Sequence, residues 1–251
     1  MDPARIAAAA ERLIAARRDG ARIPPFPPEA SPQSVREAHA VQDAVTRALG
    51  LRVGAFKANA PNATTEGLRA PIYARVVHNS PAAFPSAEAP QCGIEGEVAF
   101  RFLRDLPPRA APYGREEVAA AVEACVAIEV VSSRFADPAA ATVLDRLADS
   151  IANGGLVVGS GRADWRGLDL ATIHVRLTVN GEPVVDKAGG HPNNDPLLVA
   201  TSLVEMMREA GGVAAGQVVT CGSYTGLRYI SPGDRCAVEF QGLGRAELVF
   251  A

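Results

Sequence analysis

Lysine is nearly absent from this chain. Of 25 basic residues in 251, 23 are arginine and only Lys57 and Lys187 are lysine. Arginine stays charged in any ordinary protein setting. Lysine has a pKa that its surroundings can tune, which suits it to acid or base work. Lys57 follows Phe56 in an apolar, strand-like run and is therefore a candidate proton carrier. Lys187, beside Asp186 and just before Gly189-Gly190, reads as a solvated loop cation.

Other absences narrow the field. Cys92, Cys125, Cys221 and Cys236 form no Cys-x-x-Cys pair, which predicts reduced, buried thiols in a cytoplasmic protein and neither a disulfide frame nor a zinc site. His39, His78, His174 and His191 are equally dispersed, with no pair spaced for zinc. No apolar run approaches the roughly 20 residues of a membrane span. The net charge of −3 comes without a basic stripe, so nucleic acid is not an expected partner. The Arg-rich start carries Asp2, Glu11 and Asp19 and reads as a soluble helix, not a targeting segment.

What is present describes a globular protein, 48% hydrophobic and 21% charged. Asp2-Pro3 is a helix start and Gly20 a helix end. A Pro-rich connector follows, and then a second helix from Ser31-Pro32 or from Ser34, where Ser34 and Glu37 have capping-box spacing, to Gly50. Residues 1–50 are thus a helical N-terminal portion and 51–251 a strand-rich core. There RVGAFKA, GIEGEVAFRFL, CVAIEVVSS, GLVVG, TIHVRLTV, QVVTCG, RCAVEF and AELVF read as strands. Asn180-Gly181 marks a hairpin. Helices are expected over 115–124 and from Asn194-Asp195-Pro196 to Gly211-Gly212. Strands and helices do not alternate regularly, which predicts α+β architecture. Gly159-x-Gly161 follows a strand but lacks the third glycine of a dinucleotide fingerprint.

Three carboxylates stand out. Glu95 and Glu97 alternate with Ile94, Gly96 and Val98 and so share one face of a strand. On their own they also suit a solvated face. Glu129 lies between Ile128 and Val130, in a run where an acid seldom stays unpaired. Three acids without histidine or thiolate make a hard-oxygen set suited to Mg²⁺ or Mn²⁺. Gly189-Gly190-His191-Pro192, ahead of a helix N-terminus, suggests a mobile loop in which His191 is a candidate substrate contact.

Taken together, AFKANAP, IEGEVAFRFLRDLPP, VAIEVVSSRF, LADSIANGGLVVG, GGHPNNDPLLVATSLVEMM, AAGQVVTCGSYTGL and SPGDRCAVEFQGLGRAELVF resemble the fumarylacetoacetate hydrolase superfamily, in its 2-keto-4-pentenoate hydratase and 4-oxalocrotonate decarboxylase branch. The resemblance covers nearly all of residues 50–251. It implies a mixed β-sandwich roll behind a helical N-terminal portion, a Mg²⁺ or Mn²⁺ held by Glu95, Glu97 and Glu129, and Lys57 beside it. It further implies a homo-oligomeric enzyme acting on a small 2-oxo acid, with a sister pathway enzyme as a further partner. A divalent ion would stabilise an enolate at the keto oxygen. A hydratase then adds water to the conjugated double bond, as in aromatic-compound breakdown. A decarboxylase uses the same electron sink for CO₂ loss.

The chain departs from the family pattern around this centre. Arg69 stands where relatives often carry an acid, Ser132-Ser133-Arg134 replaces Asp-Ser-Arg, and Asp149-Ser150-Ile151-Ala152 replaces Asp-Asn-Ala-Ser. Arg69 and Arg134 suggest clamps for a second substrate carboxylate, which favours a diacid. The altered surroundings also admit a non-catalytic partner subunit as a third reading, against which the complete acid set argues.

Overall fold

The computed structural model describes residues 2–251. Helix α1 (Pro3–Asp19) starts where the sequence expects: Asp2 accepts a hydrogen bond from the Ala4 amide at 3.0 Å and Pro3 occupies the first turn. Gly20, with φ 68°, ends it. Helix α2 (Val35–Leu49) is capped by Ser34, whose Oγ accepts from the Glu37 amide at 3.2 Å. The capping box is not reciprocal. Glu37 turns its carboxylate to the Gln33 amide at 2.9 Å and the Asp2 amide at 3.2 Å, tying the starts of the two helices together.

The strands are β1 (Val53–Asn59), β2 (Leu68–Tyr73), β3 (Val77–Asn79), β4 (Ala82–Phe84), β5 (Gly93–Phe102), β6 (Val122–Val131), β7 (Asn153–Arg162), β8 (His174–Val179), β9 (Glu182–Ala188), β10 (Val218–Ser223), β11 (Arg228–Tyr229), β12 (Arg235–Phe240) and β13 (Gly244–Phe250). Three helices interrupt them: α3 (Arg115–Ala119), α4 (Val143–Ala148) and α5 (Pro196–Met207). One sheet has the order β2-β1-β10-β5-β6-β7-β3, with β11 added to β5; the other runs β4-β13-β12-β8-β9. Parallel pairs (β1 with β10, β3 with β7, β4 with β13) mix with antiparallel ones, so the α+β reading holds.

The first sheet curls round on itself. Four strands separate β2 from β7 in sheet order, yet the two come into contact. The second sheet packs over β6 and β7, and Val238 of β12 comes against Gly96 of β5. Ile94, Val98, Phe100, Ile128, Val238, Phe240 and Leu248 are fully buried in the main core. Each such side chain contributes about 1.5–3 kcal/mol when removed from water. A second apolar cluster joins Ala9, Leu13, Ala38, Val41 and Val45 of α1 and α2 to Phe135 and Leu147 from the later chain. Ser31 Oγ donating to Asp145 Oδ1 and Gln42 Nε2 donating to the Leu147 carbonyl, both at 2.6 Å, fasten that contact.

Several elements differ from the sequence reading: α4, β3, β4 and β11 have no counterpart in it, α5 ends at Met207 short of Gly211-Gly212, and two further differences have a clear local cause. The helix expected over 115–124 stops at Ala119, because Val122 pairs with Phe102 and the β5–β6 ladder claims the rest. Strand β2 contains Pro71, a residue with no N–H to give, and lies at the sheet edge where that loss is tolerated. All four cysteines are free and buried. Among the described residues no helix is long and apolar enough to cross a membrane.

Candidate metal centre

Glu95 and Glu97 point to one face of β5, and Gly96 between them faces the second sheet. A Cβ at Gly96 would lie 2.9 Å from Val238 Cγ1 and from Thr225 Cγ2, so only glycine allows the sheets this close beneath the acids. The Gly96 amide also donates to Thr225 Oγ1 at 2.8 Å. Glu129 on β6 stands directly opposite Glu95 in register. One oxygen from each of Glu95, Glu97 and Glu129 lies within 4.8 Å of the others.

Lys57 reaches this cluster from β1, with Nζ 3.0 Å from Glu129 Oε1 and 3.5 Å from Glu95 Oε2. Strands β10 and β5 lie between β1 and β6. In a flat sheet that separation is about 14 Å, too far for the two side chains to span. The curl closes the gap.

Glu97 and Glu129 are fully buried. Each has one oxygen satisfied by the protein: Gly222 N donates to Glu97 Oε2 at 2.8 Å, and Asn153 Nδ2 to Glu129 Oε1 at 2.9 Å. The other oxygens, Glu97 Oε1 and Glu129 Oε2, have no hydrogen-bond partner. Burial, and then the neighbouring Glu129 carboxylate, push the Glu97 carboxyl well above its usual range; burial likewise raises Glu129. For Lys57, burial opposes the charge, but Glu129, Glu95 and Glu97 outweigh it and hold the ammonium protonated. Unpartnered buried carboxylate oxygens are expensive. Their convergence with Glu95 in an all-oxygen set fits a hard divalent cation.

Three polar groups at this centre went unread in the sequence. Asn153 is one. Thr220 and Ser223 are the others: they stand beside Lys57 and Glu97 in the strand registers, and both hydroxyls are buried without a partner. The polar residues of VVTCGS, in an otherwise buried strand, are the only sequence signal for them.

The remaining candidates fall elsewhere. Arg69 pairs in register with Ala58, whereas Lys57 pairs with Ala70, so Arg69 lies on the opposite face of the β1–β2 ribbon. Its Nη2 is 3.0 Å from both carboxylate oxygens of Asp43 in α2. Arg134 is spent on structure: Nε donates to Asp149 Oδ1, Nη1 to the Ser132 and Asn153 carbonyls at 2.7 and 2.6 Å, and Nη2 to the Asp149 carbonyl. Every guanidinium nitrogen of Arg134 is engaged within the protein, and Arg69 is paired with Asp43 on the face away from Lys57. His191 is buried, with Nε2 donating to the Cys221 carbonyl at 2.7 Å and Nδ1 accepting from the Asn193 amide at 3.2 Å. Burial lowers its pKa, so it is a neutral brace beneath the Gly222 turn and has no nitrogen left for substrate. Lys187 lies in strand β9, not in a loop, and is exposed.

The chain is similar in sequence and fold to known proteins. The family profile of the fumarylacetoacetate (FAA) hydrolase C-terminal matches residues 34–250. The chain is 29% identical over 264 residues to a 2-keto-4-pentenoate hydratase of Paraburkholderia xenovorans, covering 100% of this chain and 96% of the relative. It is 32% identical over 163 residues to a 2-hydroxyhexa-2,4-dienoate hydratase of Comamonas testosteroni, covering 62% of this chain and 59% of that one. A structure of 4-oxalocrotonate decarboxylase from Pseudomonas putida G7, complexed with magnesium and adipate, shares the fold with a TM-score of 0.84 at 20% identity, covering 100% of this chain and 99% of that chain.

Proposed function

The chain belongs to the fumarylacetoacetate hydrolase family, and within it we propose a divalent-metal-dependent hydratase that adds water to a short 2-hydroxydienoate or 2-oxo-enoate in the breakdown of aromatic compounds. The observation that carries this reading is the convergence of three carboxylates, two of them with a buried, unpartnered oxygen, beside a lysine. Residues 51–251 form the catalytic core in this reading and 1–50 its helical portion. Mg²⁺ or Mn²⁺ held by Glu95, Glu97 and Glu129 would stabilise the negative charge that develops at the keto oxygen of a 2-oxo acid.

The chain's own residues supply positioning and protons. Asn153 and the Gly222 amide each occupy one oxygen of a buried acid and leave the other free to bind a cation. Lys57 Nζ, kept charged by the acids around it, is the proton carrier; it gives a proton to the substrate carbon chain and regains one from the added water. The commitment of Arg69 to Asp43 and of Arg134 to Asp149 favours a monoacid dienoate over a diacid, and so hydration over decarboxylation of the 4-oxalocrotonate type.

Incubating the Mg²⁺-loaded protein with 2-hydroxypenta-2,4-dienoate and with 4-oxalocrotonate separates the two. Hydration of the first without CO₂ from the second is expected. Release of CO₂ from the second without hydration of the first would overturn the reading.

A further inference from the structure

A cavity of about 380 Å³ lies between the C-terminal turn of α1, the end of β2 and the start of β7; none of Glu95, Glu97 and Glu129 lines it, but Asn153, which reaches Glu129, does. Five arginines line it (Arg17, Arg18, Arg22, Arg75 and Arg134) against two lining acids, Asp19 and Glu88, and with the buried Asp149 behind Arg17 and Arg134 the excess is two positive charges. The hydratase chemistry above uses none of these arginines. Arg134 is internally paired and serves as wall. Arg75 reaches Glu88 at 3.0 Å, with both side chains well exposed, a contact water and salt weaken. Arg18 and Arg22 have no ion pair among the described residues.

Arg17 is the telling member. Its side chain is only 12% exposed, its Nε is buried with no hydrogen-bond partner, and its Nη2 has only long contacts, 4.0 Å to Asp149 Oδ1 and 3.5 Å to Ser150 Oγ. Asp149 is already held by Arg134. Burial, and then the charge of Arg134, lower the pKa of Arg17 to about 10. Its guanidinium lies over the Tyr73 ring, 5.3 Å from the centroid, and shares the single carboxylate of Asp149 with Arg134, so a buried donor stays idle and the two cations are under-neutralised.

We propose that this cavity binds a small doubly charged oxyanion, a dicarboxylate or a phosphate group, through Arg17 on its floor and Arg75 and Arg22 at its rim. The site shares only Asn153 with the metal centre and needs no metal. Dicarboxylate and phosphate share the recognising chemistry, planar N–H forks meeting paired oxygens.

Calorimetric titration of the whole protein with succinate and, separately, with inorganic phosphate tests this at low ionic strength. At least one of the two should bind, and the tighter one names the class. Arg17→Gln should weaken that binding about tenfold or more, the loss expected of one charge-assisted hydrogen bond. Arg22→Gln, at an exposed position, should weaken it less and guards against misfolding of the Arg17 variant. Glu97→Gln should leave it unchanged, which keeps this test independent of the proposed metal chemistry. No heat with either anion up to about 10 mM, equal affinity in folded Arg17→Gln, or loss of binding in Glu97→Gln would overturn the proposal.

Discussion

Asn153 Nδ2 donates to Glu129 Oε1 at 2.9 Å, directly after three consecutive non-glycine residues in the left-handed region: Ser150, Ile151 and Ala152, with φ of 56°, 53° and 56°. The left-handed turn delivers a neutral donor to one oxygen of a buried acid and leaves the other free. Asn153→Ala should weaken binding of a divalent cation about 10- to 100-fold, the usual effect of removing a group that orients a metal ligand. Titration with Mn²⁺ measures this, and unchanged affinity would show that Glu129 is held without Asn153.

The left-handed turn has its own cost, on the order of 1–2 kcal/mol per residue with a Cβ. Ala152 is half-buried and makes only backbone hydrogen bonds, with its carbonyl accepting from Ser132 N at 2.7 Å. Ala152→Gly should therefore stabilise the protein by about 1 kcal/mol, after the extra flexibility of glycine in the unfolded chain is counted. A lower urea midpoint would contradict this.

Lys57 neutralises the acids when no metal is bound. Lys57→Met leaves Glu97 and Glu129 buried without their cation and should cost the metal-free protein about 3 kcal/mol. Added Mg²⁺ should restore most of that stability but not turnover. If the variant is as stable as the parent without metal, the lysine does not act as a counter-ion.

His39 gives a pH signature remote from the acids. Burial, and then the nearby Arg69 guanidinium, lower its pKa to about 4, and its Nε2 accepts from the Arg69 amide at 3.3 Å. A depressed folded pKa means that the unfolded chain binds the proton first, so the stability gained from neutral His39 is present above about pH 6.5 and is lost as pH falls towards 4. The stability difference between the parent and His39→Gln should shrink over that window, by at most about 3 kcal/mol. A pH-independent difference would show that His39 does not titrate on unfolding.

Local patterns made much of this legible. The Asp2-Pro3 and Ser34 caps, the Asn180-Gly181 hairpin between β8 and β9, and the shared face of Glu95 and Glu97 all follow from spacing within a few residues. The meeting of Lys57 with Glu129 does not, because it needs the sheet to curl across two intervening strands. Arginine partners are equally non-local. Arg69 looked free in sequence, but Asp43, 26 positions away, claims it. Arg134 is claimed by Asp149, 15 positions away. Asn153 could not be read as a support for Glu129, since its reach depends on a left-handed turn that no glycine announces.

Turnover of 2-hydroxypenta-2,4-dienoate by the parent and by Glu97→Gln, each with saturating Mg²⁺ and with a chelator, is the decisive measurement for the three-acid metal centre. Glutamine keeps an oxygen for the Gly222 amide and removes the charge. Hydration by the parent should be chelator-sensitive, and Glu97→Gln should show none while staying folded. Undiminished hydration by Glu97→Gln, or turnover by the parent that the chelator leaves intact, would contradict a three-acid metal centre.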